Sequence, residues 1–267
     1  MANQQHYSIL NHGVSLWNLW RKEHPDILPD LSGLILIKAN LNRANLSRAD
    51  LKRASLSRID LSESDLSEAN LSGAILYRAN LNQTNLSKAD LGLAFLVRSE
   101  LIRANLRGAS LKGANLSKVD LYSANLMFAD LNGTDLSEAN LSGAILYRAN
   151  LNQTNLSKAD LGLAFLVRSE LIRANLRGAS LKGANLSKVD LYSANLMFAD
   201  LNGTDLSEAN LSGACLKGSF LYRANLAYAD LSDADLSGTI LDEANLRGAI
   251  YAEEQFSRAK SYVNIIR

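Results

Sequence analysis

The sequence predicts an all-β solenoid, a rod formed by a chain that coils repeatedly around one axis. A leucine stands at every fifth position from Leu31 to Leu246, 44 in succession. Neither an α-helix, with 3.6 residues per turn, nor a strand, with a period of two, keeps such a spacing on one face over this length. Two places before each leucine the residue is usually small, and directly before it stands mostly Asn, Asp or Ser. The chain must therefore turn in steps of five residues.

The repeated motif A-(N/D)-L-x-x resembles that of the pentapeptide-repeat family, and the resemblance covers about four fifths of the chain. It implies a right-handed quadrilateral β-helix in which four pentads form one square coil. The leucine and the small residue then point inward, and the other three positions face water. With 44 pentads the rod has about 11 coils, and a strand spacing of about 4.8 Å gives it a length of about 53 Å.

The physics of packing supports this architecture independently. A pentad cannot bury its own leucine, so it must stack on its neighbours, and stacking turns the leucines into continuous internal columns. Small residues must alternate with the leucines because leucines from all four sides would not otherwise fit a narrow, close-packed interior.

Residues 1–30 lack the five-residue period and are predicted to cap the first coil. Apolar residues recur there at helical spacing, which predicts one amphipathic helix from Ser8, as N-cap, to about Lys22. Pro25 and Pro29 end the helix. Such a helix would cover an end that otherwise exposes apolar core and unpaired strand edge. The segment GVSLWNLWRKEHPDILPDLSG also resembles the N-terminal cap of many cyanobacterial pentapeptide-repeat proteins.

The C-terminal residues 251–267 are predicted to form a second helical cap. A helix there would carry its acidic residues early and its basic residues late, which suits the helix dipole. Its apolar face would consist of Phe256, Ala259, Val263 and Ile266. Some members of the family dimerise through a C-terminal segment, and a dimer through a terminal cap stays open here.

The middle of the chain contains an exact duplication. Residues 71–140 and 141–210 are identical, which indicates either a very recent duplication or an engineered, lengthened rod. The unit of 14 pentads is three and a half coils, so each feature of the second copy should lie on the opposite side of the rod. The predicted domains are an N-terminal cap at 1–30, the β-helix at 31–250 and a C-terminal cap at 251–267.

Basic residues 20 apart should stack into outward columns at the second place after each leucine. Like charges about 4.8 Å apart repel unless they are paired, and Asp60, Glu100 and Asp120 are the expected partners. We favour a solvated, locally neutralised surface over a phosphate-binding stripe. The candidate stripe comprises Lys38, Arg58, Arg78, Arg98 and Lys118, with the copies Arg148, Arg168 and Lys188 half a turn away.

Outward apolar and amide residues should stack as well. Such pairs stabilise adjacent coils as cross-strand contacts do, and we favour that role over a docking patch. Asn155, Asn175 and Asn195 should form an amide ladder. The expected apolar pairs are Ile75 under Phe95, Ile102 under Tyr122, Ile145 under Phe165, Ile172 under Tyr192, and Phe220 with Ile240.

Composition and motifs argue against several classes of function. The 28 basic and 27 acidic residues give a net charge of +1, so nothing draws the whole protein to nucleic acid or an anionic membrane. Neither a signal peptide nor a membrane span is recognisable, and the one cysteine, Cys215, should face outward and fits a reducing compartment. We therefore expect a cytoplasmic protein.

The sequence indicates no catalytic site, cofactor or metal. The repeat offers many serines but no histidine to activate one, and Gly-rich phosphate loops are absent. His6, His12 and His24 all lie in the N-terminal cap without a cysteine partner or an H-x-x-x-H pair, so we expect them to be solvated. We therefore expect a protein that is not an enzyme.

The favoured function is a structural scaffold that presents flat faces to a protein partner. The alternative follows from the resemblance, since family members are known to imitate double-stranded DNA and bind DNA gyrase. That mimicry needs a strongly acidic surface, and the neutral charge argues against it. Ice binding would need ordered threonine arrays, and Thr84, Thr134, Thr154, Thr204 and Thr239 are too sparse.

Overall fold

The body of the molecule, in a computed structural model that describes residues 2–267, is a continuous coil closed by parallel bridges. The bridges begin with Asp30 to Asp50 and recur at every fifth residue with the same offset as far as Asp230 to Ile250. A coil therefore contains 20 residues, or four pentads. Each of its four sides contributes one bridged residue, the one directly before the leucine, and not a longer strand.

Each pentad makes a tight turn and bonds to the coil above it. Ala44 N–H donates to Leu41 C=O at 3.0 Å and closes the turn, while Leu41 N–H donates to Asp60 C=O at 2.7 Å and Arg43 N–H donates to Ser62 C=O at 3.0 Å. Arg43 has a φ of 61°. A positive φ at the third residue of the turn is the signature of a type II turn, which explains the glycines at this position of many other pentads.

The interior consists of stacked leucines and small residues. Leu116, in the middle of the rod, has no solvent exposure, and Ala114 has 1%. The expectation that these two positions face inward is confirmed. The five threonines considered for ice binding also lie inside the rod, at the small position. Thr134 Oγ1, for example, donates to Leu111 C=O at 2.9 Å, which satisfies a hydroxyl group that is buried among apolar side chains.

The Asn and Asp residues before the leucines have two structural roles. Their Oδ1 atoms accept the N–H of the residue two places on, as in the 2.9 Å bond from Ser237 to Asp235, and such Asx turns favour these residue types. The hydrogen bonds from Ser237 hold the pKa of the Asp235 carboxyl below its ordinary value. Side-chain amides also bond between coils: Asn175 donates to Asn155 at 3.1 Å and Asn195 donates to Asn175 at 3.3 Å, which confirms the predicted amide ladder.

The N-terminal cap contains two helices, α1 at Gln4–Asn11 and α2 at Val14–Glu23. The prediction of one helix beginning at Ser8 is wrong in both its start and its continuity. Asn3 is the N-cap of α1, accepting from Gln5 N–H at 2.9 Å. Gly13 separates the helices with a φ of 112°, a conformation that a helix cannot include.

Helix α2 covers the open end of the coil and satisfies its exposed backbone groups. Trp17 is completely buried and donates Nε1–H to Asn45 C=O at 2.7 Å. Arg21, only 4% exposed, donates to Ile27 C=O at 2.7 Å and to Ser47 C=O at 3.0 Å. Burial lowers the pKa of the Arg21 guanidinium below its ordinary value.

The histidines of the cap do not all face water as expected. His6 is 9% exposed, its ring centroid lies 5.1 Å from that of Trp20, and its Nδ1 accepts the Asp30 N–H at 3.0 Å. The His6 ring therefore satisfies the backbone N–H of Asp30 at the start of the first coil. His12 and His24 are exposed, and each ring makes a hydrogen bond to a carbonyl of its own helix.

The C-terminal cap contains only one short helix, α3 at Glu253–Phe256. The predicted helical face that runs on to Ile266 is wrong, because the chain returns to the β-helix after Phe256. Ser261 bridges to Ile240 and Ile266 bridges to Asn245, so α3 shifts the offset between coils by one residue. Phe256, 2% exposed, fills the end of the core. Between residues 2 and 267, no helix has the length and apolar character needed to cross a bilayer.

Candidate functional site

The basic stripe lies along two edges of the rod. Every member is exposed and occupies the turn position with positive φ, where the chain passes from one face to the next. The offset between bridged coils places Lys38, Arg58, Arg78, Arg98 and Lys118 one above another. By the same offset, Arg148, Arg168 and Lys188 stack along the edge half a coil away.

The prediction that Asp60, Glu100 and Asp120 form ion pairs with the basic stripe is wrong. Asp60 and Asp120 lie in the flat faces, where they accept side-chain amide hydrogens from the coil above, Asp60 from Asn80 at 3.0 Å and Asp120 from Asn140 at 2.9 Å. Glu100 accepts from Asn82 at 2.9 Å. These carboxylates therefore belong to the ladders between coils.

Each basic column ends instead at a glutamate of its own edge. Lys118 pairs with Glu138 at 3.4 Å, and Lys188 pairs with Glu208 at 3.3 Å. Within residues 2–267 the other members of the stripe form no ion pair, so six exposed cationic groups remain available to a partner. They are Lys38, Arg58, Arg78, Arg98, Arg148 and Arg168.

On another edge of the rod, Arg223 is neutralised by an ion pair with Glu243. Arg223 Nε lies 2.6 Å from the Glu243 carboxylate. That hydrogen bond raises the pKa of the Arg223 guanidinium above its ordinary value. The contrast matters because the arginines of the stripe lack such a carboxylate and keep an uncompensated charge.

Exposed apolar side chains lie directly beside the arginines of the stripe. The Arg78 guanidinium lies 5.4 Å from the centre of the Tyr77 ring, and that ring lies 6.4 Å from Phe95. Phe95 is bridged to Ile75, and both are exposed, at 40% and 45%. The predicted stacks of Ile75 with Phe95, Ile145 with Phe165, and Phe220 with Ile240 are confirmed by their bridges.

Two apolar and basic patches follow from this geometry. The first patch consists of Ile75, Tyr77, Arg78, Leu93, Phe95 and Arg98. The second patch, its copy, consists of Ile145, Tyr147, Arg148, Leu163, Phe165 and Arg168. Leu93 and Leu163 are 76% and 77% exposed, so most of each side chain is open to a partner.

The sequence identified the basic columns and the apolar pairs but did not join them into one surface. The signal was present: each arginine of the patch stands three residues after an outward isoleucine or phenylalanine, so the turn brings them to adjoining positions. A depression of about 550 Å³ adjoins Leu93, because Gly92, Gly113 and Gly133 contribute no side chains to that edge.

The exposed apolar side chains and unpaired arginines of the patches form a binding surface. Residues 2–267 contain no cluster of His, Cys, Asp and Glu side chains that could hold a metal ion. Cys215 lies at an outward position, bridged to Asn195 and half-buried, as expected.

Comparisons with known proteins place the repeat in a family. The family model described as "Pentapeptide repeats (8 copies)" matches most of the repeated region. The matched residues are 30–62, 54–92, 99–137, 124–162, 169–207 and 204–242. A comparison with curated proteins finds no match.

Solved structures similar to this chain include two cyanobacterial proteins. HetL from Nostoc sp. strain PCC 7120, a pentapeptide repeat protein involved in heterocyst differentiation regulation, is 36% identical over 83% of this chain and 94% of its own, with a TM-score of 0.46. Rfr23 from Cyanothece 51142 is 36% identical over 48% of this chain and 91% of its own, with a TM-score of 0.19.

A third similar structure is more distant in sequence. QnrB1, a plasmid-mediated fluoroquinolone resistance protein, is 14% identical over 78% of this chain and 88% of its own, with a TM-score of 0.48. The family model, which matches more than half of the chain, decides the assignment. The chain belongs to the pentapeptide-repeat family, whose fold is the right-handed quadrilateral β-helix, here closed by helical caps.

Proposed function

We propose that this protein is a non-enzymatic scaffold that presents the flat faces of its β-helix to a protein partner. The observation that carries the proposal is the surface on which exposed aromatic and aliphatic side chains adjoin arginines that lack an acidic partner. Aromatic residues and arginine are the side chains that most often dominate binding energy at protein interfaces. Members of this family are generally structural or interaction proteins, which agrees with this function.

The proposed rod has about 11 coils between residues 31 and 250, with caps at 1–30 and 251–267. Its 44 pentads and the 20-residue offset between bridged coils support that number. The identity of residues 71–140 and 141–210 supports a recent or engineered lengthening of the rod. We propose the cytoplasm as its compartment, since a lone, half-buried thiol suits a reducing environment.

The alternative is a DNA mimic that binds DNA gyrase. We expect this protein not to inhibit gyrase at concentrations where acidic family members act, because a net charge of +1 cannot reproduce a phosphate backbone. A supercoiling assay with purified gyrase, and with an acidic family member as the positive control, measures this. Potent inhibition would support the alternative. It would also contradict a scaffold whose partner is a protein other than gyrase.

The scaffold is tested by capture and reconstitution. Tagged protein is used to isolate partners from the cells that naturally express it, and the captured protein is purified and titrated calorimetrically. We expect the double variant Phe95→Ala with Phe165→Ala to bind it at least about tenfold more weakly, because the centre of both patches is lost.

The matched control is Phe220→Ala. Phe220 is as exposed as Phe95, at 43% against 40%, and lies in another outward apolar pair, but its neighbouring arginine, Arg223, is neutralised by Glu243. The control should bind the partner like the unmodified protein. Equal binding by the double variant, or equal loss in the control, would reject the patches as the docking surface.

A further inference from the structure

The two patches point in opposite directions. Bridged residues are 20 apart, and equivalent residues of the patches, such as Phe95 and Phe165, are 70 apart, which is three and a half coils. The second patch therefore lies half a turn around the rod from the first. At about 4.8 Å per coil it is displaced by about 17 Å along the axis. One partner domain seated on one face cannot reach the other.

The chemistry of each patch selects an acidic partner with apolar anchors. The guanidinium groups of Arg78 and Arg98 are exposed, and no carboxylate of residues 2–267 pairs with them. Arginine binds carboxylates through two parallel hydrogen bonds, while the neighbouring rings and leucine offer apolar contact. An extended segment with alternating acidic and aromatic residues complements both features.

A nucleic-acid backbone fits this surface less well. In each basic column the arginines are followed by a lysine that is paired with a glutamate, Glu138 on one edge and Glu208 on the other, so a carboxylate interrupts the positive charge along both edges. The centre of each patch is apolar, whereas binding to phosphates depends on continuous positive charge. We therefore argue for a protein segment.

The coil beneath each patch makes the two surfaces unequal. Beneath the first patch the edges carry Lys52, Arg53 and Arg58, which are all basic. Beneath the second they carry Tyr122 and Phe128, with a single basic group, Arg107, 4.9 Å from the centre of the Phe128 ring, and Phe128 lies 5.7 Å from Tyr147 in an edge-to-face contact. Binding at the first patch should consequently depend more strongly on salt than binding at the second.

We infer that this protein is bivalent and binds two copies of one acidic, aromatic protein segment, one on each of two opposite faces. The inference rests on the proposed scaffold function and adds its partner chemistry and stoichiometry. In this arrangement the rod joins two partner molecules at a fixed distance and in opposed orientation, because a β-helix of stacked coils is rigid between the two patches.

Calorimetric titration with a synthetic octapeptide of alternating glutamate and phenylalanine tests the inference. The unmodified protein should bind two equivalents. Arg98→Glu in the first patch and Arg168→Glu in the second should each leave one equivalent, and the double variant should lose binding at least about tenfold. Phe220→Ala, outside both patches, should keep two equivalents. A competing single-stranded DNA oligonucleotide should not displace the peptide.

The salt dependence separates the two patches. Between about 50 and about 300 mM salt, the peptide should lose more affinity in Arg168→Glu, which keeps only the first patch, than in Arg98→Glu. One equivalent in the unmodified protein would overturn bivalency and leave the scaffold intact. Absence of peptide binding, or displacement by DNA, would overturn the acidic partner, whereas only the capture experiment with Phe95→Ala and Phe165→Ala decides the scaffold itself.

Discussion

Replacing Leu116 by alanine should lower the free energy of unfolding by roughly 2–5 kcal/mol. The side chain has no solvent exposure and lies in a column of leucines between the coils of Leu96 and Leu136. Truncation removes its apolar contacts and leaves a cavity, which the neighbouring coils cannot fill because their backbones are fixed by hydrogen bonds on all four sides. Chemical denaturation followed by circular dichroism measures the change.

The control is Lys118→Ala, two residues along the same pentad. Its ion pair with Glu138 joins side chains that are 45% and 49% exposed, and exposed pairs contribute little. Alanine also adopts the positive φ of 59° at about the same cost as lysine. We expect a change within about 0.5 kcal/mol. Equal destabilisation by the two substitutions would contradict the assignment of inward and outward positions.

The coil architecture could be predicted because each pentad repeats the same sequence pattern and the same local interactions. Leucine and the small residue are buried in the coils between the caps. The side chain of the Asn or Asp before the leucine accepts a hydrogen bond from the backbone N–H two residues on. A regular period therefore carries the register of the whole rod. The positions of the amide ladder and of the basic columns follow from that register.

The caps were predicted less well because they do not repeat. The spacing of apolar residues continues through Gly13, so the pattern alone indicates one helix where the backbone makes two. Arg21 was missed because a charged side chain in an amphipathic pattern is assigned to solvent, although here it donates to the carbonyl of Ile27 and to that of Ser47 at the end of the coil. His6 was expected in solvent because the sequence offers it no metal-binding partner, a criterion that says nothing about packing against Trp20. The tail beyond Phe256 was misread because its apolar spacing also suits another half coil.

The ion pairs of the stripe could not be predicted from nearness in sequence. Asp60 and Asp120 lie only two residues from Arg58 and Lys118, but they stand in the flat face and their oxygens accept amide hydrogens. The reachable acid is the one directly above on the same edge, 20 residues on, as in Lys118 and Glu138. Five of the seven ion pairs within residues 2–267 join residues that are 20 apart in one column, so the column is the main unit in which surface charges pair in this fold.

Removing residues 141–210 should give a shorter protein that still folds. The 70 residues are a multiple of five, and the new junction of Asn140 with Leu211 recreates the sequence LSEANLSGA that is already present. Each coil of a solenoid needs only its neighbours and the caps. Cys215, now bridged to Asn195, would stack on Asn125, the identical residue of the first copy, so every new contact is of a kind that exists already.

The shortened rod should also be rotated. Loss of three and a half coils should shorten it by about 17 Å, which small-angle scattering measures, and should move Cys215 half a turn relative to the N-terminal cap. A distance probe between Cys215 and a label on a cysteine introduced at His12, which is exposed, reports the rotation. Deletion of 141–200 is the matched control, because three whole coils are lost: the rod should shorten by about 14 Å while Cys215 keeps its face. A rotation that is the same in both deletions would be incompatible with a coil of four pentads, since only that coil turns the difference of ten residues into the opposite face of the rod.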